Sequence, residues 1–253
     1  MAIQCYGCDF VVKSFMYLFF SHNLRNVWKT SSLLEKASIF QITFKTHNNL
    51  KLDKDNEIEF CQEYKYLGVI FDTSGTNDKE IRSRVIQART CIVCLNGIVW
   101  SKDIRKERKL NIYNALIKSS LLYGSETWRL TENNKRWVEA TEMDALRRSC
   151  RISRKDRIRN VTIRQHIGLE ETIIKETEQN QLTWYGHVQR MAEERLPKIT
   201  LKWMPKQKRA RGRPKKNWMK GIKKAMNERN LNEGQWEDRK QWSLGVGQRR
   251  KTF

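Results

Sequence analysis

Clustered carboxylates would indicate metal-dependent chemistry, because two-metal transfer of nucleotides needs acidic side chains that hold cations about 4 Å apart. The nine Asp of the chain are Asp9, Asp53, Asp55, Asp72, Asp78, Asp103, Asp144, Asp156 and Asp238. No two of them are adjacent, and the closest pair, Asp53 and Asp55, lies in a polar segment. We therefore expect no two-metal catalytic centre and no bound metal cofactor.

Histidine and cysteine give no stronger sign of catalysis. The four His are His22, His47, His166 and His187, and none stands at a recognisable spacing from a nucleophile. We expect His187 to pack between helices rather than to act as a base or ligand. Each of the pairs Cys5/Cys8 and Cys91/Cys94 has a zinc-like spacing, but 82 residues separate the pairs and the second lies in an apolar helical pattern. The sequence therefore predicts neither a catalytic nor a zinc site.

Charge is the strongest positive signal. The chain has 50 Lys and Arg against 28 Asp and Glu, which gives a net charge of +22. Residues 1–100 are nearly balanced, with 12 basic and 10 acidic residues, whereas residues 195–224 contain thirteen basic residues and no acidic one. Such an excess is unusual for an ordinary soluble enzyme and indicates a polyanionic partner such as nucleic acid.

A short motif inside this basic segment resembles an AT-hook. The run Lys208-Arg209-Ala210-Arg211-Gly212-Arg213-Pro214-Lys215-Lys216 has an Arg-Gly-Arg-Pro core. Gly212 would let the backbone enter a narrow minor groove, and Arg211 and Arg213 would follow its floor, where the potential is most negative. A solvated basic linker and a nuclear import signal remain alternatives for the same residues.

Membrane association is not expected. No apolar run reaches the roughly 18 residues that a membrane span needs. The apolar run at 15–20 is short, and Lys13 is the single basic residue before it, whereas a signal peptide begins with a more strongly charged region. We expect a nuclear location, or otherwise a cytoplasmic one, with the cysteines as thiols.

The hydrophobic pattern predicts a mainly α-helical protein with one short β-hairpin. Aromatic and β-branched residues predict the hairpin within 57–71, and residues 72–77 have the composition of a turn. Apolar residues at helical spacing predict helices at 78–98, 104–122 and 132–150. Because their connections are short, these three helices should pack as a compact bundle.

Further helices are predicted toward the C-terminus. One is expected from Asn160, as its cap, to Ile167, ending at Gly168, and a longer one at 171–191. Thr131 should cap the helix at 132–150. The last sixty residues look like a basic tail with at most one more helix, near 216–230.

Five motifs, in order along the chain, carry a resemblance to a known family. They are Tyr66-Leu67-Gly68-Val69, Tyr123-Gly124-Ser125-Glu126-Thr127-Trp128, Glu142-Met143-Asp144-Ala145-Leu146-Arg147-Arg148, Trp184-Tyr185-Gly186-His187-Val188-Gln189-Arg190-Met191 and Arg211-Gly212-Arg213-Pro214. From about Thr43 to Trp242 the chain resembles the endonuclease–reverse transcriptases of non-LTR retrotransposons, RNA-directed DNA polymerases that use Mg²⁺.

The resemblance implies a division of the chain into five parts. Residues 1–42 match nothing in the family, and 43–77 would be a remnant of the palm. Residues 78–150 would form a thumb-like bundle, 151–194 a helical C-terminal extension and 195–253 a basic tail. The family's Asp-Asp hairpin should lie before position 43, so we expect a truncated copy without the catalytic palm or the endonuclease.

The resemblance also implies where nucleic acid binds. The primer-grip-like hairpin would consist of Tyr66, Leu67 and Gly68. The thumb would contact the phosphates of duplex template–primer through Lys102, Arg105, Lys106, Arg108 and Lys109. The tail would add contacts through Lys206, Lys208, Arg209, Arg211, Gly212, Arg213, Pro214, Lys215 and Lys216.

The sequence therefore predicts a protein that binds RNA or DNA without catalysing polymerisation. One alternative is a co-opted DNA-binding protein whose working part is the AT-hook-like motif. Another is a transposon fossil without function. A polymerase would require a longer chain that includes the palm.

Overall fold

The computed structural model describes residues 50–51, 57–58, 62–169, 171–202 and 217–247. The expectations for residues 1–42 and for the AT-hook-like motif lie outside these described residues. The chain divides into two compact units. The described part of the first comprises residues up to Lys79 together with 191–202, and that of the second comprises 80–190 and 217–247.

The described part of the first unit contains four short strands: β1 (Leu50–Lys51), β2 (Glu57–Ile58), β3 (Glu63–Tyr66) and β4 (Val69–Asp72). Strand β1 pairs antiparallel with β2, and β3 pairs antiparallel with β4 in a register that places Tyr66 opposite Val69. The two residues between β3 and β4, Leu67 and Gly68, have φ angles of 46° and 82°. Two successive positive φ angles are typical of the type I′ turn, whose twist matches that of the flanking strands.

The end of the hairpin is fixed by polar contacts. Asp72 Oδ1 accepts a hydrogen bond from the Ser74 backbone N–H at 2.9 Å, and Asp72 Oδ2 accepts one from Ser74 Oγ at 2.9 Å. The Lys79 ammonium pairs with Glu63 and lies 3.5 Å from Asp72 Oδ2. The predicted hairpin is therefore confirmed, together with the turn that follows it.

The remaining described elements are helical. They are α1 (Asp78–Cys94), α2 (Asn96–Trp100), α3 (Lys106–Ile112), a π-helical turn (Tyr113–Lys118), α4 (Ser119–Leu122), α5 (Glu132–Ser149), α6 (Asn160–Ile167), α7 (Ile173–Gln189), α8 (Leu196–Lys202), α9 (Trp218–Glu228) and α10 (Arg239–Gly247). Single 3-10 turns occur at Ser125–Thr127, Arg154–Asp156 and Gln235–Glu237. The predicted fold class, mainly α with a short hairpin, is confirmed.

Capping residues mark some of the helix ends. Thr131 caps α5 as predicted, because its hydroxyl accepts the backbone N–H of Asn134 at 3.2 Å. Gly168 ends α6 with a φ of 81°. Asn160 is the first helical residue of α6 rather than its cap, and its side-chain oxygen accepts a hydrogen bond from Arg147. The predicted cap was wrong by one residue.

The core of the second unit does not stop at residue 150, where the predicted thumb ended. A continuous cluster of buried side chains joins Ile81, Val85, Ala88, Ile92, Tyr113, Ile117, Leu121, Val138, Leu146, Ile163, Ile167, Ile173 and Ile174. These residues come from α1, the α3–α4 segment, α5, α6 and the start of α7. The helices on both sides of the predicted boundary therefore share one hydrophobic core.

The prediction of at most one more helix in the last sixty residues was wrong. Besides α9, the described part of that segment contains α8 and α10. The rings of Trp218, Trp236 and Trp242 surround Tyr185 of α7, with centroid distances of 5.6–6.4 Å. Aromatic burial on α7 thus makes residues 218–247 part of the folded unit rather than a tail.

No helix among the described residues is long and apolar enough to cross a bilayer. The same residues contain no group of three or more His, Cys, Asp or Glu side chains placed to hold a metal ion.

Candidate nucleic-acid interface

Two basic segments meet at the C-terminal end of α5. The first runs from Lys102 to Lys109, and the second from Arg147 to Arg159. The two segments contain twelve basic and three acidic residues. The first segment was predicted from the sequence to bind nucleic acid, and the second was not.

Lys109 is the residue that joins the two segments. It is 4% exposed, and its ammonium donates hydrogen bonds to the backbone carbonyl of Ser101 at 2.6 Å and to that of Ser149 at 3.4 Å. Burial lowers the Lys109 pKa, and the nearby Arg151 lowers it further. The prediction that Lys109 contacts phosphate needs correction, because its ammonium is buried against carbonyls and holds the loop after α2 to the end of α5.

Arg147 and Arg148 also have structural partners. One amine of Arg147 donates to the Ile158 carbonyl at 2.7 Å, and the other donates to the Ser153 carbonyl at 3.4 Å. Arg148 pairs with Asp144 at 3.1 Å and donates to Asn96 Oδ1 at 2.6 Å. These contacts fold residues 153–158 onto the last turn of α5 and tie the start of α2 to the same place.

The two segments that meet at this junction carry nine exposed basic side chains, and we call them the basic surface: Lys102, Arg105, Lys106, Arg108, Arg151, Arg154, Lys155, Arg157 and Arg159. Four of them were predicted from the sequence. The signal for the other five was legible, since residues 147–159 contain seven basic residues and only Asp156 as an acid. The Arg154 guanidinium lies 3.8 Å from the Asp144 carboxylate, and the Arg154 side chain is 76% exposed.

Two of these arginines have an uncommon backbone conformation. Arg151 has a φ of 58° and Arg157 a φ of 52°, in the left-handed region that favours glycine. Arg151 follows α5, and Arg157 ends the 3-10 turn at Arg154–Asp156. Glycine would adopt both conformations with less strain, so arginine is not the residue that the local backbone favours at either position.

The chemistry available to the basic surface is phosphate binding. Arginine and lysine side chains pair with phosphate oxygens, and neutralised phosphates release counterions, which favours association. The two segments contain three acidic residues, Asp103, Glu107 and Asp156, against twelve basic ones. The local charge therefore remains strongly positive.

The primer-grip-like residues lie in the first unit. Leu67 is 45% exposed at the turn, Tyr66 is half-buried, and the Tyr64 ring stacks on Tyr66 with centroids 6.5 Å apart. Burial, together with the neighbouring Tyr64, raises the Tyr66 pKa. The turn is formed as predicted, and its role toward a primer stays a prediction.

Residues of two motifs of the resemblance have structural roles. Glu142 forms two ionic hydrogen bonds with Arg164, one of them at 3.0 Å, and also accepts from the Tyr113 hydroxyl and the Ile173 backbone N–H at 3.3 Å each. Gln181 donates to the carbonyls of Ser125 and Trp128 at 3.2 and 2.9 Å. Among the motif residues, Glu142, Ser125 and Trp128 therefore have roles in hydrogen bonding within the fold.

His187 does not pack between helices as predicted. It is exposed on α7, and its ring lies 5.5 Å from that of Trp184. Its pKa is below the usual value because the ring is partly desolvated and because Arg190 and Arg239 are nearby.

Comparison with known proteins gives one match. No family model matches the chain, and no solved structure does. A Caenorhabditis elegans protein named as an uncharacterized, transposon-derived protein is 25% identical over 210 residues, which cover 78% of this chain and 74% of that protein. The similarity supports a transposon-related origin for the chain.

Proposed function

We propose that the chain is a nucleic-acid-binding part of a non-LTR retrotransposon reverse transcriptase and does not polymerise by itself. The observation that carries this proposal is the junction at the end of α5, where the basic surface brings nine exposed cations from two segments together. The order of the sequence motifs and the similarity to a transposon-derived protein support the same origin.

The partner is the phosphate backbone of RNA or DNA, with duplex template–primer as the form that the resemblance implies. The basic surface binds nucleic acid through charge and distinguishes little between base sequences, because phosphate contacts carry no sequence information of their own. The exposed turn at Leu67 is the second candidate contact, on the primer side. A nuclear site of action is consistent with such a partner.

A matched pair of triple variants tests the role of the basic surface. One variant changes Lys102, Lys106 and Lys155 to Gln, and the control changes Lys220, Lys223 and Lys224 of α9 to Gln. All six lysines are exposed, so both variants lose the same charge from the same residue type.

Binding of a labelled 20-bp duplex is then measured by anisotropy between 50 and 200 mM salt. Each lost phosphate contact lowers the slope of log K against log salt by about 0.9, so the first variant should bind with a slope shallower by about 2–3. The control should keep a slope close to that of the wild type. Equal slopes in the two variants would refute a binding role for the basic surface.

Catalysis is tested separately. With primer–template, Mg²⁺ or Mn²⁺ and nucleotides, the chain should extend no primer, because its nine Asp include no adjacent pair. Templated extension above that of a heat-inactivated control would contradict this part of the proposal.

A second candidate function, DNA binding through the AT-hook-like motif, rests on the residues Arg211-Gly212-Arg213-Pro214. Changing Arg211 and Arg213 to Ala should then weaken binding to AT-rich duplex more than to GC-rich duplex, because only the AT-rich groove is narrow. Equal losses on both duplexes would leave the motif as a plain basic linker.

A further inference from the structure

The Trp100 side chain is exposed to solvent, which is unfavourable for a large aromatic ring. The structure describes seven tryptophans: Trp128, Trp218 and Trp242 are buried, and Trp137, Trp184 and Trp236 are half-buried. Trp100 alone among these described tryptophans is classed as exposed, at 42%. Its neighbour Val99 is buried, so α2 packs against the core while it presents Trp100 to solvent.

Trp100 lies beside the basic surface. The next residue is Ser101, whose backbone carbonyl accepts a hydrogen bond from the Lys109 ammonium, and Lys102 lies two residues after Trp100. The same ammonium reaches the carbonyl of Ser149, two residues before Arg151. At its other end, α2 is tied to α5 by the 2.6 Å hydrogen bond from Arg148 to Asn96. The helix that carries Trp100 is therefore attached to α5 and α3 at both of its ends, beside the cations.

An exposed indole next to phosphate-binding cations suits an unpaired base. Proteins that bind single strands combine a positive surface for the backbone with aromatic rings on which bases stack. In a duplex the base faces are already stacked and are not available to the ring. Charge complementarity thus favours nucleic acid over an apolar protein as the occupant of this site.

We propose that Trp100 stacks on an unpaired base of a single-stranded nucleic acid whose phosphates bind the neighbouring cations. This inference rests on the proposed function, because it needs the phosphates to lie on the basic surface. It adds a substrate preference, for single-stranded segments or strand ends, which phosphate contacts alone do not give.

The test compares two oligonucleotides with equal charge. One is a labelled 20-nucleotide oligo(dT), and the other is a 20-unit abasic strand with the same phosphates but no bases. The full-length wild type, Trp100→Ala, Trp100→Phe and the control Leu116→Ala are compared by anisotropy, with circular dichroism to check that each is folded. Leu116 is 47% exposed on the same unit, so the control loses a similar exposed apolar group.

The wild type should bind oligo(dT) about 5- to 150-fold more tightly than the abasic strand, the range expected for one stacked base. Trp100→Ala should lose most of this ratio while it binds the abasic strand and a 20-bp duplex as the wild type does. Trp100→Phe should keep much of the ratio, because its ring also stacks, and Leu116→Ala should keep all of it.

Two failures can be told apart. If Trp100→Ala keeps the wild-type ratio, or weakens binding to every ligand equally, the stacking inference is wrong although the basic surface still binds phosphate. If the wild type binds neither strand at 50 mM salt, the proposed function fails and the inference fails with it.

Discussion

Gly186 lies where no larger residue fits, and its substitution by Ala tests the aromatic packing of the second unit. A Cβ atom on Gly186 would lie 2.2 Å from Trp242 Nε1 and 2.7 Å from Trp242 Cδ1. Trp242 is 2% exposed, and its Nε1–H donates to the Leu182 carbonyl at 3.1 Å. The indole must therefore move if residue 186 carries a side chain.

Three terms set the size of the effect. Overpacking costs about 1–3 kcal/mol, and loss of the Trp242 hydrogen bond leaves a buried polar group that costs about 1–3 kcal/mol. The higher helix propensity of Ala offsets about 1 kcal/mol. We expect Gly186→Ala to lower the free energy of unfolding by about 3 kcal/mol, which corresponds to a fall in Tm of roughly 6–12 °C.

Urea denaturation followed by circular dichroism measures the change. Gly221→Ala is the matched control, because Gly221 is also helical and a Cβ there meets nothing within 4 Å. That control should gain up to about 1 kcal/mol.

The Trp242→Ala variant shows whether the contact with the Trp242 ring causes the loss of stability. Trp242→Ala alone should cost about 3–5 kcal/mol, and in that background Gly186→Ala should no longer destabilise. If Gly186→Ala costs the same with and without Trp242, or costs nothing in the wild type, the packing argument is refuted.

Three further predictions concern individual features of the second unit. Changing Arg151 and Arg157 to Gly should leave the free energy of unfolding within about 1 kcal/mol of the wild type, because relief of the left-handed backbone strain offsets the larger conformational entropy that Gly loses on folding. The same change should weaken nucleic-acid binding. A large loss of stability would contradict this prediction. Arg164→Met should cost about 3–5 kcal/mol in urea denaturation by leaving Glu142 buried and unpaired, and adding Glu142→Met should recover much of that loss; no recovery would refute the pairing argument. The His187 ring should titrate below 6.5 by NMR, so its contribution to stability is lost as the pH falls below the unfolded-state value; a midpoint at or above 6.5 would contradict the lowered pKa.

The helices and the hairpin could be predicted because their signals are local. Apolar residues at helical spacing located α1, α5 and α7 to within a few residues, and Thr131 marked the start of α5 through its hydroxyl. The break between α1 and α2 at Leu95 was not predicted, although Asn96 and Gly97, a pair typical of turns, follow it directly.

The sites that depend on tertiary contacts could not be predicted in the same way. Lys109 stands in a basic stretch and resembles its exposed neighbours, and only the meeting of two chain segments supplies the carbonyls that bind its ammonium. Trp218 and Trp242 occur in a basic, polar stretch, so their burial becomes evident only once α7 is present to receive them.

Residues 147–159 are an intermediate case. Their charge was visible in the sequence, but their meeting with the segment at 102–109 depends on how α3 packs against α5.

Lysine footprinting tests most directly whether the basic surface binds nucleic acid. The full chain is acetylated briefly with and without an excess of 20-bp duplex at 50 mM salt, and the modification of each lysine is read by mass spectrometry. We expect Lys102, Lys106 and Lys155 to be protected by the duplex, while Lys220, Lys223 and Lys224 of α9 keep their reactivity. If the first three stay as reactive as in the free protein while duplex is bound, the basic surface is not the binding site and the central claim is wrong.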